Sequence, residues 1–352
     1  MNAWSLEFLV PGDLQSATGG YGYDRRIIAG LQQLGWGVRA HSLDGSFPFP
    51  TTRALEHAEA VFSGISDRAL VMVDGLASGA MPDVIARHAH RVRLVALVHH
   101  PLAEETGLSL ESASSLEHSE RASLRLARHV VVTSEATALA LARYDVERAR
   151  ISVIVPGTDE APLAPGSAGD TVRLLCVATL TPRKGHDLLI ESLAALKSLP
   201  WKLTCVGSLT RGVDTVAALR KQISGAALDE RITLAGELTG DALEAAFQSA
   251  DVFVLPTRHE GYGMVVAEAL ARGIPVISTR TGAIPELLGA DAGLLVPPDD
   301  GPAFRDALAR VLHDPVLLAS LRGGARRARD RMPRWPQSCE RMSQVLRQML
   351  PP

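Results

Sequence analysis

A rhythm that runs twice constrains this chain more than any other feature: short apolar runs alternate with longer stretches of helical periodicity. In the first series, strands are expected at residues 6–10, 38–42, 70–74, 93–99, 130–133 and 151–155, and helices at 23–34, 81–89, 116–127 and 135–142. Runs this apolar suit strands buried on both faces, as in a parallel sheet covered by helices. Between 156 and 170 the rhythm breaks in a stretch rich in Pro, Gly, Ala and Ser, which reads as an exposed linker. The second series has strand candidates at 172–177, 202–206, 232–235, 252–255, 275–278 and 293–296. Its helix candidates fall at 186–197, 215–224, 241–249, 264–272, 302–312 and 315–329.

The expected architecture is therefore two doubly wound α/β halves, 1–157 and 158–334, followed by an amphipathic helix near 335–352. That helix has two possible hosts, the first half or its own. A length of 352 residues gives each half enough chain for its own core. Ligands of such folds bind beyond the carboxyl ends of the strands, and a cleft between two such halves is the natural large site.

Composition narrows the partners. The formal net charge of −3 gives no reason to expect nucleic acid. The cysteines Cys176, Cys205 and Cys339 are odd in number and lack a CxxC pair, so neither a disulfide framework nor a zinc site is expected, and a reducing cytoplasm fits. The N-terminus lacks the features of a signal peptide, and no apolar run approaches the roughly 18 residues of a spanning helix. Any membrane contact would then be peripheral. Arg121, Arg125 and Arg128 at helical spacing offer one such face, but Glu117 and Glu120 on the same segment favour a solvated one.

The strongest chemical signal is Thr257-Arg258-His259-Glu260-Gly261-Tyr262-Gly263-Met264-Val265-Val266-Ala267-Glu268, which follows a strand and opens a helix. Glycines there let backbone N–H groups approach a ligand, and a new helix N-terminus favours an anion such as a diphosphate. Glu260 sits at the loop tip, and Glu268 lies on the helix, where a carboxylate can accept hydrogen bonds from ribose hydroxyls. The plain structural alternative is a glycine turn with a solvated Glu268.

The segment from Glu260 to Glu268 resembles the E-x7-E segment of the family 4 retaining glycosyltransferases, and other landmarks follow in the family's order. They include Thr18-Gly19-Gly20-Tyr21-Gly22 and Leu34-Gly35-Trp36-Gly37-Val38, then Leu97-Val98-His99-His100 and Val132-Thr133-Ser134-Glu135. Val155-Pro156-Gly157-Thr158-Asp159 and Pro182-Arg183-Lys184-Gly185 come next, and Ala250-Asp251-Val252 and Gly273-Ile274-Pro275 flank the acidic segment. The resemblance implies a GT-B fold, two Rossmann-like doubly wound parallel-sheet domains facing a central cleft, with the last helix returning to the first domain.

The resemblance also implies roles. A hexose would pass, with retention, from a nucleotide diphosphate sugar (UDP or GDP) bound in the second half to an unidentified acceptor bound in the first. Glu268 would hold ribose, Arg183 and Lys184 the diphosphate, and Glu260 the sugar hydroxyls. Gly261, Tyr262, Gly263 and Met264 would line the donor loop. A histidine would contact the donor sugar, with the register favouring His99 over His100. Gly19 and Gly20 would form a loop closing over the diphosphate. The chain has no Asp-x-Asp, so no metal or other cofactor is expected and side-chain cations must meet the leaving charge. One departure is that Ala178-Thr179 stands where many members carry an arginine, leaving Arg183 as the second cation. Rival readings are a non-catalytic nucleotide-sugar-binding scaffold and a nucleotide-sugar epimerase of the same fold. The loop Thr281-Gly282-Ala283-Ile284-Pro285-Glu286 reads either as a donor-side loop or as an unoccupied helix start.

Overall fold

The computed structural model describes residues 4–16, 18–105, 107–167 and 169–350. The chain divides into two compact units, Met1–Gly157 with Pro333–Pro352, and Thr158–Met332.

The first unit opens with β1 (Trp4–Pro11), α1 (Gly19–Gln33), β2 (Trp36–Leu43), α2 (Thr52–Ser63), β3 (Leu70–Asp74) and the single turn α3 (Gly75–Ser78). It continues with α4 (Pro82–His88), β4 (Arg93–Val98), α5 (Leu110–Leu126), β5 (His129–Val132), α6 (Glu135–Ala140) and β6 (Ile151–Val153). Its sheet is parallel, in the order β2-β1-β3-β4-β5-β6, so the winding reverses between β1 and β3. Every residue of β3 and β5 is buried, as expected of strands covered on both faces. Val71, Val73, Phe62, Val130 and Tyr144 are among the side chains packed into one apolar cluster.

Nothing in the sequence pattern announces α2. Thr51 caps it, with Oγ1 accepting the Ala54 N–H at 3.1 Å, but its buried stripe is only Ala54, Ala58 and Phe62. A stripe built mostly of alanines has little hydrophobic contrast with the exposed face, so the 3.6-residue period is faint.

The second unit holds β7 (Val172–Val177), α7 (His186–Ala194), β8 (Trp201–Val206), α8 (Val213–Gly225), β9 (Ile232–Gly236) and α9 (Gly240–Gln248). It goes on with β10 (Val252–Leu255), α10 (Met264–Ala271), β11 (Val276–Thr279), α11 (Ile284–Leu288), β12 (Gly293–Val296), α12 (Gly301–His313) and α13 (Pro315–Arg331). The parallel order β12-β11-β10-β7-β8-β9 puts the reversal between β7 and β10, which makes the loops after those two strands the natural binding edge. Cys176 and Cys205 are register partners on β7 and β8 and are buried free thiols.

The last helix, α14 (Trp335–Gln348), belongs to the first unit, where it packs along α1. Trp36 Nε1–H donates to Ser343 Oγ at 2.9 Å, and the Cys339 thiol donates to the Arg26 carbonyl at 3.6 Å. A Cβ on Gly30 would stand 2.2 Å from Cys339 Sγ, so only glycine allows this approach. Trp335, Cys339, Met342, Val345 and Leu346 of this helix are buried.

Two expectations change. The linker expected over 156–170 is exposed only in part: Ala161 and Ala164 are buried, and Ala164 N–H donates to the Arg272 carbonyl at 2.8 Å and Ser167 N–H to Asp251 Oδ1 at 3.0 Å, strapping those residues to the second unit. Glu120 is not on a solvated face. It is 1% exposed and accepts the Leu102 N–H at 2.9 Å, while burial pushes its carboxyl up to about 8. Arg121 and Arg125 are instead tied to Glu117 and Asp145, at 2.8 and 2.9 Å. Among the described residues no helix is long and apolar enough to cross a membrane.

Candidate functional site

Three loops of the second unit interlock at the carboxyl ends of β7, β10 and β11. After β7 the chain makes a single helical turn, Pro182–Lys184, and enters α7 through Gly185. That turn delivers Lys184 to the loop after β10, where its Nζ stands 2.5 Å from Glu260 Oε2. Both side chains are mostly buried, at 12% and 15% exposure. Arg183 joins the same loop, donating from Nη1 to the His259 carbonyl at 3.0 Å, while its own carbonyl accepts the Arg258 N–H at 2.8 Å. Behind the loops Arg258 bridges Asp187 on α7, at 2.8 Å, and Asp299, at 2.6 Å. Burial would raise Asp187, but the Arg258 guanidinium outweighs it and holds its carboxyl low.

Glycines fix the spacing of these loops. Gly185 has φ +71°, and a Cβ there would lie 2.1 Å from the Pro256 carbonyl oxygen. Gly282 has φ +52°, and its Cβ would fall 1.7 Å from the Glu260 carbonyl oxygen. Ala283 N–H then donates to the Gly261 carbonyl at 3.1 Å, so the stretch from Thr281 to Glu286 both starts α11 and braces the acidic loop.

Gly263, at φ +92°, is the residue before α10, and no side chain caps that helix. Met264 opens the helix, and Glu268 lies half-buried one turn further in. Tyr262 is buried beside them, and burial followed by the charge of Glu286 pushes its phenol upward. The outcome is one edge with two cations, two carboxylates and a helix N-terminus, which suits a ligand with an anionic and a hydroxylated part.

The other site residues read from the sequence lie in the first unit. Gly19 and Gly20 are not a loop: Thr18 caps α1, its Oγ1 accepting the Tyr21 N–H at 3.4 Å, so the pair forms the helix's first turn. Gly20 borders His99, since its Cβ would sit 3.4 Å from His99 Cδ2. The strand expected to reach His99 stops at Val98, and His99 turns into a buried acidic pair. Its Nε2 is 3.2 Å from Asp24 Oδ1 on α1 and 3.4 Å from Asp74 Oδ2 at the end of β3. His100 instead faces Glu105 at 3.5 Å, with Glu105 41% exposed.

Burial alone would lower His99, but the two carboxylates outweigh it and raise it to about 10. Asp24 is raised by burial to about 6, against the opposing pull of His99. The three ligand atoms lie within 4.8 Å of one another, the only cluster among the described residues with the spacing of a metal site. Sequence reading missed both carboxylates. The signals that could have found them are an aspartate on the buried stripe of α1, beside Tyr23, Ile27, Ile28 and Leu31, and one ending the otherwise apolar β3.

Each unit matches a known family profile. Residues 28–161 match "Glycosyltransferase Family 4" and residues 171–314 match "Glycosyl transferases group 1". The chain is 30% identical over 260 residues to D-inositol 3-phosphate glycosyltransferase of Pseudarthrobacter chlorophenolicus, a match covering 67% of this chain and 61% of that protein. The matched segments span 61%, 47% and 65% of three such curated relatives. The fold is shared with sucrose-phosphate synthase of Thermosynechococcus elongatus (TM-score 0.82, 21% identity, 98% of this chain and 99% of that one). It is also shared with the Anabaena protein HepE in complex with UDP-glucose (TM-score 0.73, 16% identity, 97% and 99% covered). With a profile on each unit and this fold along its length, the chain belongs to the group 1 glycosyltransferases of GT-B fold.

Proposed function

We propose that the chain transfers a hexose from a nucleotide diphosphate sugar, UDP- or GDP-linked, to an acceptor hydroxyl, with retention and without a metal. The observation that carries this reading is the 2.5 Å pairing of Lys184 with Glu260 beside the start of α10. Breaking a glycosyl–phosphate bond leaves charge on the diphosphate, and cations already held in a poorly solvated edge meet it with little reorganisation. Arg183 stands next to Lys184 for the same task, and the α10 N-terminus adds its partial positive charge. Glu268 is proposed for the ribose hydroxyls and Glu260 for the sugar hydroxyls.

Glu260 is a poor nucleophile here, since its carboxylate is engaged by a lysine. Retention then follows from same-face attack: the acceptor oxygen bonds to the anomeric carbon as the diphosphate leaves, and a phosphate oxygen takes the acceptor's proton. D-inositol 3-phosphate glycosyltransferase, a relative by sequence, makes a polyhydroxylated acceptor a reasonable first trial. The test is to incubate the purified chain with UDP- and GDP-hexoses, candidate acceptors and EDTA, and to read nucleoside diphosphate release and the product anomer by NMR. Release with an anomer matching the donor supports the reading. Inversion, or dependence on added metal, contradicts its finer half. Donor binding without transfer or hydrolysis points to a scaffold, and isomerised donor without transfer to an epimerase.

A further inference from the structure

His99, Asp24 and Asp74 form more apparatus than the end of a strand needs. Asp24 is 0% exposed and Asp74 1%, and each comes from a different element of the first unit. Asp24 Oδ2 has no hydrogen-bond partner among the described residues. A buried acceptor left unsatisfied is destabilising, more so when charged, while apolar replacements of a buried ion cluster are often neutral or stabilising. Stability by itself therefore does not account for the arrangement.

The ring is gripped at one end. Nε2 faces the two carboxylates, and Tyr23 stands edge-on to the ring, 5.5 Å away at 85°. The His99 carbonyl accepts from Thr133 and Thr137, each at 3.3 Å, which fixes the backbone as well. Gly20 borders the Cδ2 flank, where a Cβ would stand 3.4 Å away, and the ring is 19% exposed. The hydrogen bond and ion pairs found for the ring all fall on Nε2, which leaves Nδ1 as its remaining donor among the described residues.

We propose that Asp24 and Asp74 are positioning residues: they clamp the Nε2–H of His99 and turn its Nδ1–H outward as a fixed cationic donor. The recipient would be a hydroxyl or phosphate oxygen of a substrate bound by the first unit, a role that rests on the function proposed above. The nearby charges agree. Arg25, next to Asp24 on α1, is occupied by the Leu14 and Ser16 carbonyls at 2.5 and 3.0 Å, and His100 faces Glu105 at 3.5 Å. The carboxylates keep the imidazole protonated across neutral pH against the effect of burial. A small divalent cation would fit the same three atoms only by displacing the Nε2 proton.

The test is histidine-selective 15N NMR of the full chain from pH 6 to 10, with His99→Gln to identify the resonance. The wild-type ring should show the imidazolium pattern through pH 8. Asp24→Asn and Asp74→Asn should each lower its titration by about one unit or more, since a neighbouring opposite charge shifts a pKa by about 1–3 units. In turnover, kcat/KM of the wild type should be level from pH 7 to 9, whereas each Asn variant should decline about tenfold per unit above its lowered pKa. A neutral His99 at pH 8 in the wild type, or a metal-bound ring that changes on adding EDTA, overturns the clamp. So do Asn variants that keep both the wild-type titration and the wild-type pH profile. The wild-type spectrum separates a charged ring from a neutral or metal-bound one whether or not a variant folds. A clamped imidazolium in a chain that turns over no donor supports the clamp and refutes the transfer reading instead.

Discussion

Lys184 is a mostly buried cation whose partner in the folded chain is Glu260. If it meets the leaving diphosphate, Lys184→Ala should cut kcat/KM by about 10²–10³-fold, the loss expected when one preorganised charge-stabilising donor is removed. The circular dichroism spectrum should be unchanged, and turnover within threefold of wild type would remove Lys184 from the mechanism. The His99 cluster makes a pH prediction of definite sign. His99 is raised to about 10 from an unfolded value near 6.5, so its stabilising contribution is full below about pH 6.5 and lost as pH rises through about 10. The gap in urea midpoint between wild type and His99→Gln should therefore narrow from pH 7 to 10.5, and a constant gap would contradict it. Lys184, Glu260 and His99 were legible because each sits at the end of a strand or in a loop with its own local pattern. Asp24 and Asp74 were not, because their meaning depends on α1 and β3 converging on His99, which no local window records.

At the scale of elements, the loops around Glu260 are held apart by glycines. Gly282→Ala would set a Cβ against the Glu260 carbonyl at 1.7 Å, at a residue with φ +52°. The expected cost is about 2 kcal/mol or more, because a strained αL residue alone costs about 1–3 kcal/mol before the clash is relieved. Donor affinity should fall with it, and chemical denaturation with a nucleotide titration checks both. A variant as stable as wild type would show that the three loops are not braced as described. The strands were readable because a doubly covered parallel strand is apolar throughout. The helices were less so. The alanine-lined α2 showed too little contrast, and the start of α1 was hidden by Gly19 and Gly20, whose low helix propensity is offset by the Thr18 cap.

At the scale of the molecule, the first unit is completed by residues that follow the whole of the second in sequence. A chain ending at Met332 would leave α1 without α14, the helix that packs along it and whose Trp335, Cys339, Met342, Val345 and Leu346 are buried. Burial of one large apolar side chain contributes about 1.5–3 kcal/mol, and a domain has about 5–15 kcal/mol in total. Calorimetry of the truncated chain should lose the cooperative transition of the first unit and keep that of the second. Two intact transitions would contradict the account of α14. The sequence admitted either host for this helix, because amphipathicity names a buried face but not the surface that covers it.

The central claim, a nucleotide-sugar site at the β7–β10 edge, is tested most directly by thermal shift with UDP, GDP, ADP and CMP and their sugar conjugates, in EDTA. A ligand that binds only the folded chain raises the apparent melting point. The account predicts a selective rise with one nucleoside diphosphate and its sugar, lost in Lys184→Ala. No rise with any of them, or a rise undiminished in Lys184→Ala, would contradict it.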